Sequence, residues 1–194
     1  MIRSFAPLSR LAAIATLVAS MAGCALPPKT LLIPPNGTTY PITGIDVEIF
    51  KTGVDAAPVS ASKAGPDAYV PEEKLVERIV PKLVAAGIPA RAKLVATLPG
   101  DPVPSADQVF GASPANAVLV LTKLKADTTC TVTVCGTSTW YRASLQDRHT
   151  GTEQWAELFH LGSNNKGLDG NMRSMDATLA QIITQLQKVV VVKS

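Results

Sequence analysis

Residues 138–161 read STWYRASLQDRHTGTEQWAELFHL. Two runs that mix aromatic, β-branched and polar residues, 138–146 and 154–161, flank the polar segment Arg148-His149-Thr150-Gly151-Thr152. Gly151 can take the positive φ that a tight turn requires, so the stretch predicts a β-hairpin. A hairpin is antiparallel by construction, and this one sets the expectation for the sheet around it.

AVLVLTKL at 117–124 is the most apolar run and predicts an interior strand. IDVEIF at 45–50 alternates Ile45, Val47 and Ile49 with Asp46 and Glu48, the pattern of a half-buried strand. Residues 90–98 predict another strand, and the prolines, glycines and small residues of 52–70 and 99–116 predict loops. A helix is expected after Pro71, with Glu72 and Glu73 at its positive end and Leu75, Val76, Ile79, Val80, Leu83 and Val84 as its apolar stripe. Gly87 and Pro89 close it, and Pro81 predicts a kink or break within it. A last helix, capped at Asn171 or Asp169-Gly170, buries Met172, Met175, Leu179, Ile182, Ile183 and Leu186. The apolar tail 189–192 must pack or pair. The expected fold is α+β, a mostly antiparallel sheet of about five strands with two helices packed on one face.

The chain has 194 residues, which argues for one folded domain. Residues 1–23 do not belong to it. Arg3 and Arg10 precede a run of apolar and small residues at 11–22, LAAIATLVASMA. As a helix those twelve residues rise only about 18 Å, short of a hydrocarbon core about 30 Å thick, so the segment reads as an export signal in preference to a retained span.

The signal ends in Met21-Ala22-Gly23-Cys24. Small residues just before a cysteine resemble the lipobox of bacterial lipoproteins, although Met21 stands where that family prefers Leu. The resemblance implies a diacylglyceryl group on the Cys24 thiol and cleavage before Cys24. An ordinary secretory signal with a cysteine close by is the alternative. Ala25, in place of the Asp that retains such proteins at the inner membrane, implies a periplasm-facing position on the outer membrane of a Gram-negative cell. The expected organisation is therefore a signal peptide at 1–23, a lipidated, Pro-rich tether at 24–44, and a periplasmic domain at 45–194. Removing the signal takes two bases and no acid, leaving 16 Lys and Arg against 15 Asp and Glu. No two bases are adjacent, so a nucleic-acid-binding surface is not expected.

With Cys24 lipidated, Cys130 and Cys135 remain as a pair in an oxidising compartment, where a disulfide is the default. Thr131 to Val134 is strand-like, and five steps along one straight strand separate Cα atoms by about 16 Å, too far for a bridge. Either the segment folds back as a tight loop closed by the bridge, which is the expectation, or the thiols stay apart. No Cys-X-X-Cys is present to suggest redox catalysis, and no ligand spacing suggests a metal.

The sequence contains no nucleophile elbow, zincin helix, phosphate loop or dinucleotide fingerprint. Asp147 could orient the His149 imidazole for base work, the basis of a hydrolase alternative, while His160 reads as a sheet residue. Trp140 and Trp155 could form an exposed partner or glycan surface, with one of Trp140 and Tyr141 in the core. Asp147-Arg-His-Thr-Gly151 followed by Trp155 is similar to a hairpin of small periplasmic lipoproteins. The strand order ahead of it resembles the α+β domains of lipoproteins that assist envelope assembly. That resemblance implies a non-enzymatic accessory or assembly factor, bound to the bilayer through Cys24 and to an envelope protein complex, without a cofactor. A peptidoglycan- or glycan-binding module is the second expectation.

Overall fold

The structure is a computed structural model that describes residues 31–33, 39–52, 72–97, 102–130, 135–163 and 167–193. The elements in chain order are β1 (Leu31–Ile33), β2 (Tyr40–Ile42), β3 (Ile45–Thr52), α1 (Glu72–Ala85), β4 (Ala90–Thr97), α2 (Ala106–Phe110), β5 (Ala117–Cys130), β6 (Cys135–Asp147), β7 (Glu153–Ser163), α3 (Gly167–Val189) and β8 (Val190–Val192). The main sheet has six strands in the order β1-β7-β6-β5-β3-β4. β5, β6, β7 and β1 are joined by antiparallel pairs, while β3 runs parallel to both β4 and β5. β2 and β8 form a separate parallel pair. The α+β class holds, with β5 in the interior as its apolar run demands.

The apolar positions of α1 and α3 share one period, so both helices turn a stripe to the same face of the sheet. Leu75, Ile79 and Leu83 of α1 and Met175, Leu179, Ile182 and Leu186 of α3 pack on Val47, Ile49, Leu119, Leu121, Leu145 and Phe159. Arg78 and Lys82 of α1 hold Asp176 of α3 at 2.7 and 3.4 Å. Val84, assigned to the stripe from sequence, is 55% exposed instead. At the end of α1, Gly87 takes φ 78°, and the Ile88 N–H donates back to Leu83 O at 2.9 Å.

Several expectations need correction. α1 continues through Pro81, which lies on the exposed side of the helix where water can satisfy the carbonyl it cannot bond. α3 begins at Gly167, so Asp169, Gly170 and Asn171 lie inside the helix and not at its N-cap position. The loop expected at 99–116 contains α2, whose Ser105 and Gln108 form a reciprocal capping box. Leu31–Ile33 and Tyr40–Ile42 are strands, so the stretch 24–44 is not all tether. The tail, by contrast, pairs as expected, forming β8 beside β2.

β3 is not half-buried. Asp46 and Glu48 are 0% and 4% exposed, because α2 packs on the face opposite the helices and Arg91 and Arg148 reach Asp46 there. The segments 53–70 and 131–134 lie outside the described residues.

Candidate functional site

The turn at 147–152 is built around one carboxylate. Asp147 Oδ1 accepts the His149 and Thr150 N–H groups at 2.9 and 2.7 Å and the Thr150 hydroxyl at 3.0 Å. Its Oδ2 accepts the Tyr40 hydroxyl at 2.5 Å. The Tyr40 bond first, then the Thr150 N–H, hold the Asp147 carboxyl down at about 2. Burial, then the Asp147 bond, push the Tyr40 phenol far above its ordinary range. Gly151 supplies the expected positive φ, 68°. Asp147 is thus spent on the turn and on β2, and it touches His149 only through the backbone. The exposed His149 imidazole has no contact that would orient it, so this pair gives the hydrolase alternative no geometric support.

Beside the turn lies a charge cluster that the sequence reading missed. Arg91 Nε donates to Asp46 Oδ1 at 2.6 Å, and Arg148 Nη1 donates to Asp46 Oδ2. The Arg148 Nη2 donates to Asp107 Oδ1 at 2.7 Å and to Gly111 O at 2.8 Å, drawing α2 onto the sheet. Glu48 stands two residues along β3, with Oε1 buried and without a hydrogen-bond partner. Burial pushes its carboxyl up to about 7 against the pull of Arg148, and the Asp46 charge adds to the rise. An open depression of about 180 Å³ next to Asp46 and Arg91 is lined also by Gly44, Ser113 and Pro114.

At the other end of the sheet, β5 and β6 run on past β3 as a long hairpin arm. Trp140 lies half-buried against His160, with ring centroids 4.7 Å apart. Ser138 Oγ lies 2.5 Å from His160 Nε2. No carboxylate among the described residues orients the far side of that imidazole, so the pair lacks the third member of a nucleophilic triad. Tyr141 and Trp155 are core, at 3% and 1% exposure. The partner surface expected of both tryptophans therefore loses Trp155, which faces the helices because it pairs with inward-facing Leu145.

Cys130 and Cys135 are cross-strand partners at the end of the arm. Such partners have Cα atoms about 4.5–5.5 Å apart, inside the range a disulfide spans. Among the described residues no cluster of His, Cys, Asp and Glu is arranged to hold a metal ion, and no helix is long and apolar enough to cross a membrane. Cys24 lies outside the described residues.

No family model matches the chain, and no curated protein matches it in sequence. Solved structures do resemble it. A point variant of the PelC dodecamer from Paraburkholderia phytofirmans matches 80% of this chain and 95% of its own, at 15% identity and a TM-score of 0.46. Lipoprotein GNA1162 from Neisseria meningitidis matches 75% of this chain and 98% of its own, at 15% identity and a TM-score of 0.40. Hypothetical protein CT253 from Chlamydia trachomatis matches 76% and 97%, at 15% identity and a TM-score of 0.44. At these scores no residue role, activity or partner passes from them to this chain.

Proposed function

We propose that this chain is a lipoprotein of the bacterial envelope, anchored through lipid on Cys24 and facing the periplasm from the outer membrane. It acts there as a non-enzymatic accessory subunit of an envelope protein complex. The observation that carries this reading is the constellation at 3–24: two arginines, an uncharged apolar run, and Met21-Ala22-Gly23-Cys24 only seven residues ahead of β1. The domain supports it by what it offers a partner. Among the described residues β4 is an edge strand of eight residues, paired only with β3, and the depression beside Arg91 opens at its start. An edge of that kind accepts a strand or an extended segment from another protein. Burial of Trp155 leaves a single tryptophan for glycan stacking, so the protein partner is the preferred occupant.

The arm is closed by a Cys130–Cys135 disulfide in this reading, as the register allows and the compartment favours. Intact mass of protein purified from membranes tests the anchor: the mass of residues 24–194 plus lipid is expected, and an unlipidated mass overturns it. Photo-crosslinking from Lys93 or Thr97 on β4 then recovers one envelope protein in stoichiometric yield. A lipidated protein that crosslinks to nothing there removes the accessory role.

A further inference from the structure

The apolar stripe of α1 is wider than the core it covers. Leu75, Ile79 and Leu83 are buried against the sheet. One step round the helix, Val76 and Val80 are half-buried and Val84 is 55% exposed. Arg78 and Lys82 lie on the opposite flank, where they meet Asp176 of α3. α1 packs over β3 and β4 while α3 packs over β7, so the valine flank is turned away from α3, toward the outer edge of β4. β3 and β4 are parallel, so α1 between them runs the other way and Val84 lies level with the start of β4. From Val76 to Val84 the helix rises about 12 Å, the length of about four strand residues. Ala90, Ala92 and Leu94 of β4 are half-buried on the helix side of the sheet. A shallow apolar groove results, with the edge of β4 as its floor and the valine flank as its wall.

The other face of the same edge is basic. Arg91 and Lys93 alternate with those apolar residues, and β4 carries no acidic side chain. The Arg91 side chain is still 43% exposed while bonded to Asp46. Lys93 is exposed, its ammonium 2.6 Å from Val109 O and 5.6 Å from the Phe110 ring, and among the described residues no carboxylate pairs with it. A strand added beside β4 sets its side chains alternately against these two faces. A second copy of β4 would bring Arg91 and Lys93 against their own kind, and like charges facing across a strand pair are destabilising. A segment that alternates apolar with acidic residues meets valines on one face and cations on the other, while its main chain bonds the groups that β4 turns outward.

We propose that the groove between β4 and the Val76, Val80 and Val84 flank of α1 seats an extended segment of a partner protein in which apolar residues alternate with Asp or Glu. The proposal rests on β4 as the partner-binding edge and adds the chemistry of the partner. Two apolar side chains at i and i+2 lie against the valines, and carboxylates at i+1 and i+3 lie opposite Arg91 and Lys93.

The test measures fluorescence anisotropy of two labelled hexapeptides with the mature protein, one alternating valine with glutamate and the other valine with lysine. At low ionic strength the glutamate peptide should bind about tenfold more tightly and lose that advantage in high salt. Lys93→Glu should reverse the preference, and Val84→Gln, at an exposed position, should weaken the glutamate peptide by about threefold to tenfold through lost apolar contact. Equal binding of both peptides, or of neither, overturns the acidic segment. Photo-crosslinking from Thr97 separates the two readings: a stoichiometric envelope partner captured there while the peptides fail leaves β4 as the binding edge for a segment of other chemistry, and no capture removes the edge as well. Self-association that Val84→Gln abolishes gives the groove to a second copy and also overturns the proposal. If Lys93→Glu fails to fold, Lys93→Gln reads the same contact, because it should erase most of the preference.

Discussion

Tyr40 and Asp147, 107 residues apart, share a 2.5 Å hydrogen bond from the phenol to Oδ2 that joins β2 to the far turn of the β6–β7 hairpin. The bond does for β2 what three residues of strand pairing cannot do alone. Asn116 reinforces it, accepting the Thr43 N–H at 2.8 Å and donating to Pro41 O at 3.0 Å.

The first prediction follows from the Asp147 carboxyl, held near 2 against an ordinary 3.8. A carboxyl lowered on folding stabilises above its unfolded pKa, and the contribution fades as pH falls from 3.8 toward 2. Asp147→Asn should therefore lower stability at pH 7 by on the order of 1 kcal/mol, discounted for the exposure of the turn. At pH 2 the two proteins should nearly coincide. Denaturant melts at both pH values check this, and an equal loss at both would show that the charge is irrelevant.

Glu48 carries the opposite sign. Its folded carboxyl sits at about 7 against an ordinary 4.5, so the folded state holds the proton more tightly. Stability falls as pH rises from 4.5 through 7, and the full penalty persists above 7. Glu48→Gln should stabilise the protein at pH 8 by on the order of 2 kcal/mol and change little at pH 4. A stability difference that does not vary with pH would contradict the burial of this carboxylate as the cause.

Arg148 ties α2 to the sheet from one guanidinium, reaching Asp46, Asp107 and the Gly111 carbonyl, beside Lys93 of β4, which donates to Val109 O at 2.6 Å. Arg148→Ala leaves Asp46 buried with Arg91 as its remaining cation, a loss of about 3–5 kcal/mol. Arg148→Lys keeps the charge but cannot reproduce the planar fork, and it should recover only part of that loss. Backbone amide exchange at 106–111 should accelerate in both variants, and slow exchange there would show that the Lys93 bond to Val109 O and the Phe110 ring contacts hold α2 without Arg148.

The elements legible in the sequence were those specified by local period. The 138–161 hairpin, the 117–124 strand and the two long helices each declare a buried face within a dozen residues. β1, β2 and β8 did not, because three residues carry no period and are defined only by the strand beside them. α2 did leave a signal, the Ser105 and Gln108 capping box, inside a stretch whose prolines read as loop. The Asp46 and Arg148 cluster was illegible for a different reason. Alternating Asp and Glu on a strand reads as a solvent face, and the arginines that make burial tolerable lie 45 and 102 residues away. Of the candidate site, the hairpin register assigned Trp140 to the outside and Tyr141 to the core as one reading allowed, but only the cross-strand partner Leu145 shows that Trp155 is inside.

The two tryptophans therefore differ in consequence. Trp155→Ala removes a ring that is 1% exposed and packs at 6.1 Å from Phe159, costing about 3–5 kcal/mol. Trp140→Ala, on the half-buried outer face, should cost about 1 kcal/mol or less through its His160 contact. Thermal melts of the two variants decide the assignment, and similar losses from both would place Trp140 in the core as well.

The last prediction concerns Cys130 and Cys135. Their register makes them opposite partners where β5 and β6 meet. A bridge between them closes a loop of six residues, for which chain entropy gives about 2 kcal/mol. That stabilisation acts on the end of the arm and not on the core, since among the described residues β5 beyond Thr122 has no pairing with β3. Reduction, or Cys130→Ser with Cys135→Ser, should therefore leave the global melt nearly unchanged while amide exchange rises at 124–140. The unreduced protein should resist alkylation at both thiols and gain two hydrogens in mass on reduction. Free thiols in protein taken directly from the envelope would remove the bridge, and a matching fall in the global melt would show that the arm folds together with the core.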